Sequence, residues 1–297
     1  VAEIGEGHSI TSTRNRLFED PRVMRISRTA WALRSWGLEE YTGITDEIAQ
    51  RINEWGGRAK LTDLVEELVH QFGVSPGSVR VYAEAPMFVL EGGYVRMRRD
   101  GDLHAFDVDV AGCRGLFLNG PDRVSFRIVV DSELQRGSGR PCPEPVAAIL
   151  GVFPDSSRLF AHRGGTLKVS WPMTAAMGPA FGSMRTLALD VGAEEGDSLR
   201  LSFNLVGQTC EAFCVPPAAL AAMSVPEVME ALTGITDFTE GVRQTLARAI
   251  GVEPASLVPT LRRRGEDELL ALLPPEEPDD ALKDALAGLA DLLEDRR

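Results

Sequence analysis

The sequence predicts a mixed α+β protein built in several segments, and three observations predict it. Residues 44–98 run helix, helix, tight turn, helix, hairpin. Residues 105–216 hold short β-branched runs divided by Gly- and Pro-rich stretches. From Pro217 onward the apolar residues recur at helical period. The expected organisation is therefore four segments: 1–40, 41–104, a β-barrel-like domain over 105–216, and an acidic helical region over 217–297.

The second segment reads most clearly. Ile44, Ile48 and Ile52 share one face of a helix with acidic residues in its first turn, and Gly56-Gly57 stops it. Leu61, Leu64, Val65, Leu68, Val69 and Phe72 make the stripe of a second helix. Gly73-Val74-Ser75 then turns the chain, with Ser75 placed as N-cap and Pro76 at the first position of a third helix over Pro76–Ala85. Met87–Leu90, the turn Glu91-Gly92-Gly93 and Tyr94–Met97 carry a hairpin signal. This order is that of a winged helix-turn-helix.

The chain ahead of it repeats the same ending. Gly7, Ser9, Ser12 and Arg14 align at one constant offset with Gly73, Ser75, Ser78 and Arg80. Each copy then reaches a proline (Pro21, Pro86) and a hairpin pattern ending in an arginine (Arg34, Arg98). The sequence thus predicts tandem winged helices with the first copy truncated, Val1 lying inside it.

In the β-rich segment strands are expected at Ala105–Val110, Arg123–Val130, Thr166–Trp171, Leu199–Val206 and Ala212–Val215, with helices at Pro143–Leu150 and Ser183–Val191. Gly192–Asp197 reads as a turn feeding a strand. Helices follow at Val225–Leu232, Thr239–Ile250, Pro254–Leu273 and Asp280–Asp295, the last preceded by a Pro-rich linker over 274–278 and carrying an apolar stripe.

Composition narrows the function classes. The chain of 297 residues is 44% hydrophobic and 25% charged, with no apolar run of transmembrane length and no signal segment, so a cytoplasmic protein without a membrane partner is expected. The net charge of −13 argues against a generic polycation that coats DNA. Most of that charge sits late: the balance is −3 over residues 1–104, −2 over 105–223 and −8 over 224–297. Phosphate attraction depends on a local face, so duplex DNA remains the expected ligand.

The third helix is the expected recognition element, offering Ser75, Ser78, Arg80 and Tyr82 to the major groove. Lys60, at the start of the second helix, suits a phosphate contact, and Arg96, Arg98 and Arg99 lie on or after the wing. The first copy adds Ser12, Arg14, Arg16, Arg22, Arg25 and Arg28. The alternative for these residues is a protein-contacting winged helix whose arginines are merely solvated.

DPRVMRISRTAWALRSWG (Asp20–Gly37) and FGVSPGSVRVYAEAPMFV (Phe72–Val89) resemble three kinds of protein: winged-helix domains of the bacterial RNA polymerase delta subunit, helix-turn-helix modules attached to restriction enzymes, and sigma-factor-like proteins of actinobacteria. That resemblance covers about a third of the chain. It implies duplex DNA as ligand, or attachment to a transcription or defence complex. SMRTLALDVGAEEGDSLRLSF (Ser183–Phe203) is similar to DNA-binding pseudobarrels of plant transcription factors and restriction-enzyme effector domains. This second resemblance implies DNA-facing loops around Arg136, Arg140, Arg163 or Lys168.

Two rivals from other classes stand beside the DNA reading. One is a protein–protein adaptor docking on RNA polymerase or a helicase, supported by the acidity and the amphipathic last helix. The other is a metal-dependent nuclease using Asp107 and Asp109, which alternate on an expected strand. Neither a catalytic residue set nor a cofactor is expected. Cys113, Cys142, Cys210 and Cys214 lack zinc-ribbon spacing, and Cys210 and Cys214 fall on one face of an expected strand. His8, His70, His104 and His162 are scattered, and Gly137-Ser-Gly139 lacks the lysine of a phosphate loop.

Overall fold

The structure, a computed structural model, describes residues 10–102 and 106–273. Among them it holds twelve α-helices and thirteen strands, an α+β protein, numbered here in chain order. The described chain falls into two compact units that alternate in sequence. One comprises residues up to Val108 with Ser132–Thr186, and the other Asp109–Asp131 with the described residues from Leu187 on. The segment 105–216, expected as one barrel-like domain, is thus divided between them.

The first unit opens with α1 (Ile10–Glu19) and a small antiparallel pair, β1 (Val23–Arg25) and β2 (Trp31–Leu33). Next come α2 (Ile44–Glu54), β3 (Arg58–Lys60), α3 (Leu61–Phe72), α4 (Pro76–Tyr82), β4 (Phe88–Glu91) and β5 (Tyr94–Met97). The last three strands form an antiparallel sheet in the order β3-β5-β4. Ile48, Ile52, Leu64, Leu68, Phe72, Val79, Phe88 and Val95 interlock as its core, so the helical stripes read from sequence are the inward faces. The β4–β5 turn needs positive φ at both central positions, and Gly92 and Gly93 supply +57° and +80°.

α4 starts where the sequence places it. The Ser75 side chain accepts a hydrogen bond from the Ser78 N–H, and Pro76 fills the first turn. It ends at Tyr82, three residues short of the expected Ala85, because Ala83 and Ala85 turn inward and are buried. The strand β3 is not visible in the sequence pattern; its three residues alternate exposed, buried, exposed around Ala59.

The same unit contains α5 (Ser132–Arg136), α6 (Glu144–Ile149) and a second ladder, in the order β9 (Ser156–His162), β10 (Gly165–Trp171), β11 (Ala180–Phe181), β8 (Arg140–Pro141). Residues 106–110 form no strand, against expectation. Phe106 instead packs on Phe153 and Trp171, with ring centroids 5.3 and 6.0 Å away, and the Asp107 N–H donates to Glu144 at 2.7 Å. Those anchors hold the segment out of any ladder.

The second unit has its own ladder of four antiparallel strands: β6 (Leu116–Leu118), β7 (Arg123–Val129), β12 (Ser198–Asn204) and β13 (Thr209–Val215). α7 (Arg185–Asp190) carries the sequence boundary between the units. The helices α8 (Pro217–Leu220), α9 (Val225–Thr233), α10 (Val242–Ala249), α11 (Leu257–Arg264) and α12 (Asp267–Leu272) supply a core that includes Phe117, Leu232, Leu246, Ile250 and Leu261. The single helix expected over Pro254–Leu273 is broken: Gly265 adopts φ +67° and ends α11. Glu266, fully buried, then accepts from the Gly115 N–H at 2.7 Å and pairs with Arg127 and Arg264. The linker over 274–278 and the helix expected at Asp280–Asp295 lie outside the described residues. No helix among the described residues is long and apolar enough to cross a membrane.

Candidate nucleic-acid interface

α4 is short, and its burial defines its faces. Val79 and Ala83 point inward. At about 100° per residue, Val81 lies near the opposite, outward side, with Arg80 on one flank and Ser78 and Tyr82 on the other. Val81 is 40% and Tyr82 37% exposed, and Arg80 is exposed as well. Ser75, Ser78, Arg80 and Tyr82 therefore do not form the single exposed side expected from sequence. Ser75 is engaged as the cap, and its oxygen lies 2.7 Å from the Ser78 hydroxyl. Val81, overlooked in the sequence, occupies the outward centre of the helix.

Ser75, Ser78 and Tyr82 line a cleft of about 550 Å³ within the first unit. Arg25 and Arg28 of the β1–β2 pair line it too, as does the first turn of α2 from Thr42 to Asp46. No side chain caps that helix terminus, which begins at Gly43. Backbone N–H groups of an uncapped first turn, with two guanidinium groups beside them, suit an oxyanion. Asp46 opposes this, but it is exposed and its field is screened by solvent.

Two backbone hydrogen bonds tie the β1–β2 pair to the second segment. The Tyr41 N–H donates to the Arg25 carbonyl at 2.7 Å, and the Arg28 N–H to the Phe72 carbonyl at 3.4 Å. The Arg25 guanidinium lies 4.9 Å from the centre of the Tyr41 ring and donates to the carbonyls of Ser27 and Arg28. Tyr41 in turn stacks on Phe72, and its burial pushes the phenol pKa up. The arginine-bearing turn is therefore positioned by the same core that carries α4.

The β4–β5 hairpin places its cations differently from expectation. Arg98 donates to the carbonyl oxygens of Pro86 (2.6 Å) and Phe88 (3.1 Å), so it clamps the hairpin base. Arg96 is bound by both oxygens of Asp102 at 2.6 and 2.9 Å. That bond holds the Asp102 carboxyl well below the usual carboxylate range. Neither guanidinium stands clear for phosphate. Arg58 and Lys60 on β3 do: both are exposed, and Arg58 rests 5.1 Å from the Tyr94 ring. Arg58 went unread because a three-residue strand shows no periodicity. Ser12, Arg14 and Arg16 lie on α1, where Arg14 and Arg16 are exposed and Arg14 lies 5.9 Å from the Phe18 ring. Ser9, aligned in sequence with Ser75, is outside the described residues.

α2 and α3 carry a second, acidic surface. Arg51, 4% exposed in its side chain, is ringed by Glu39, Glu47, Glu54 and Glu67 within 3.8 Å. Trp55, Asp63, Glu66, Glu67 and His70 line a shallow hollow there, which shares no residue with the α4 cleft.

No protein-family model, no curated protein and no solved structure matches this chain significantly. Among the described residues no group of three or more His, Cys, Asp or Glu is arranged to hold a metal ion. Cys210 is buried on β13 with its thiol pushed up to about 12, chiefly by burial. Cys214, on the same strand face, is pushed up to about 11 by burial and by the Asp197 carboxylate. Both are poor thiolates and poor metal ligands at neutral pH.

Proposed function

We propose that this chain binds duplex DNA through α4 and the cleft beside it. In this reading residues 41–104 act as a winged helix. The α1–β1–β2 segment contributes a phosphate clamp. The carrying observation is the meeting of Arg25 and Arg28 with Ser78, Tyr82 and the uncapped start of α2 in one cleft. Val81 and Arg80 face base edges in the major groove, while Arg28, Arg58 and Lys60 hold phosphates and Arg25 braces the turn that carries Arg28. The biological setting is transcription control or targeting within a defence or restriction complex, in a cytoplasmic protein.

The test is fluorescence anisotropy with a mixed pool of labelled duplexes, titrated across salt. Binding should weaken steeply with salt and be lost when Arg28, Arg58 and Lys60 are reversed to Glu. Absence of binding at low salt would remove the DNA reading.

A second reading has its own observation. The acidic surface around Arg51, with exposed Trp55 beside it, suits a basic protein partner such as a subunit of RNA polymerase or a helicase. The nuclease alternative has no comparable support, because Asp107 and Asp109 do not share a strand.

A further inference from the structure

The cleft beside α4 has features that a duplex passing over it would not use. Its volume of about 550 Å³ falls within the roughly 300–1,000 Å³ of small-molecule sites. Two polar side chains of its lining are deeply buried: Tyr41 is 6% and Thr45 8% exposed. Neither hydroxyl has a hydrogen-bond partner among the described residues. Neither oxygen is among the unbonded polar atoms that are sealed from solvent. Each therefore keeps a small accessible surface, and the cleft is the open space that both side chains line.

Further donors converge there. The first intrahelical bond of α2 runs from the Glu47 N–H to the Gly43 carbonyl at 3.0 Å. The N–H groups of Ile44, Thr45 and Asp46 precede it, and no side chain caps them. Arg28 is exposed, and its guanidinium has no partner among the described residues. The Tyr41 phenol lies within the field of Arg28 and Tyr82, which line the same cleft, and its burial keeps it protonated and able to donate. A backbone phosphate lying across the surface does not reach side chains buried as deeply as Tyr41 and Thr45, whereas a group that enters the cleft does. Buried polar groups are rarely left unbonded, which favours such an entrant.

The rest of the lining selects the body attached to the anion. Tyr82, 37% exposed, offers an aromatic ring, and Ile44 and Val74 add apolar surface. A bare phosphate would leave all three unused. Asp46, exposed in the first turn of α2, repels a bare anion but accepts from an amino or hydroxyl group carried beside one. An anion joined to a flat, hydrogen-bonding body meets both demands, and aromatic side chains stack on any base.

We infer that this cleft binds one nucleoside 5′-phosphate unit. Tyr41, Thr45, Arg28 and the first N–H groups of α2 hold its phosphate, and its base lies against Tyr82. Two sources supply that chemistry: a free nucleotide, or a nucleotide swung out of bound DNA. The second source rests on the DNA reading proposed above; the first does not.

Isothermal titration calorimetry of the full chain with the four deoxynucleoside 5′-monophosphates, deoxyribose 5-phosphate and inorganic phosphate tests the site without duplex. At least one nucleotide should bind about tenfold or more tightly than either base-free phosphate. Tyr41→Phe and Thr45→Val should each weaken it about tenfold. The thermal midpoint should hardly move, since each variant removes only an unbonded hydroxyl. A duplex carrying 2-aminopurine separates the sources. A fluorescence rise on binding that Tyr41→Phe abolishes assigns the extruded nucleotide, and nucleotide binding without that rise assigns the free one. Parity of every nucleotide with the base-free phosphates, or an affinity untouched by both variants, overturns the inference. Duplex binding beside such a failure leaves the DNA reading standing, and nucleotide binding without duplex binding leaves this site alone.

Discussion

Arg98 and Arg28 are both arginines near the candidate interface, yet they do different work. Arg98 is held by the backbone carbonyls of Pro86, Phe88 and Asp102, so Arg98→Ala should lower stability by about 1–3 kcal/mol in urea denaturation and barely change the salt slope of DNA binding. Arg28→Ala should reduce that slope by about one, as expected of a phosphate contact. Equal slopes for the two variants would show that Arg28 does not meet phosphate. Arg80→Ala should weaken specific binding by about 1–3 kcal/mol and relax preference at one base pair; unchanged affinity and preference would take Arg80 out of base readout. Asp102 gives the β4–β5 hairpin a pH dependence. Its carboxyl titrates below the ordinary 3.8 because Arg96 binds it, so its stabilisation is complete above that value and is lost as pH falls through the lowered one. Acid unfolding monitored between about pH 4 and pH 2 should therefore be steeper for the native chain than for Asp102→Asn. Parallel curves would mean that the pair contributes nothing.

Elements with chemical punctuation were legible; elements defined by distant partners were not. α3 and α4 stand where the Leu64–Leu68–Phe72 stripe, Ser75 and Pro76 put them, and the β4–β5 hairpin follows its two glycines. β9 escaped notice because only Phe160 of its seven residues is buried, leaving no alternation to read. Residues 106–110 have alternating character but are held by Phe153, Trp171 and Glu144, partners far along the chain. The candidate site was half legible. The arginines of the first copy and the residues of α4 were readable as types, whereas their meeting in one cleft depends on Tyr41 and Phe72 packing together. The break between α11 and α12 was marked by Gly265, but its reason is the buried Glu266 between Arg127 and Arg264. Glu266→Gln leaves two buried cations without a counter-charge and should cost about 3–5 kcal/mol in urea denaturation. A loss below about 1 kcal/mol would mean that those arginines are adequately held by carbonyls alone.

At the scale of the molecule, a net charge of −13 restricts nucleic-acid binding to a local face, and salt sensitivity should follow the few cations of that face. The candidate polyanion site lies within the first unit and is testable with the second unit left intact. In the proposed reading the acidic α2–α3 surface would repel DNA, and it is the place where the rival reading puts a protein partner. Amide hydrogen exchange of the full chain, with and without duplex DNA at low salt, separates these possibilities most directly. The account predicts new protection at Thr42–Asp46 and Ser75–Tyr82, with none in the segment from Trp55 to His70 that carries the acidic hollow. Protection confined to the acidic hollow, or absent from α4, would contradict it.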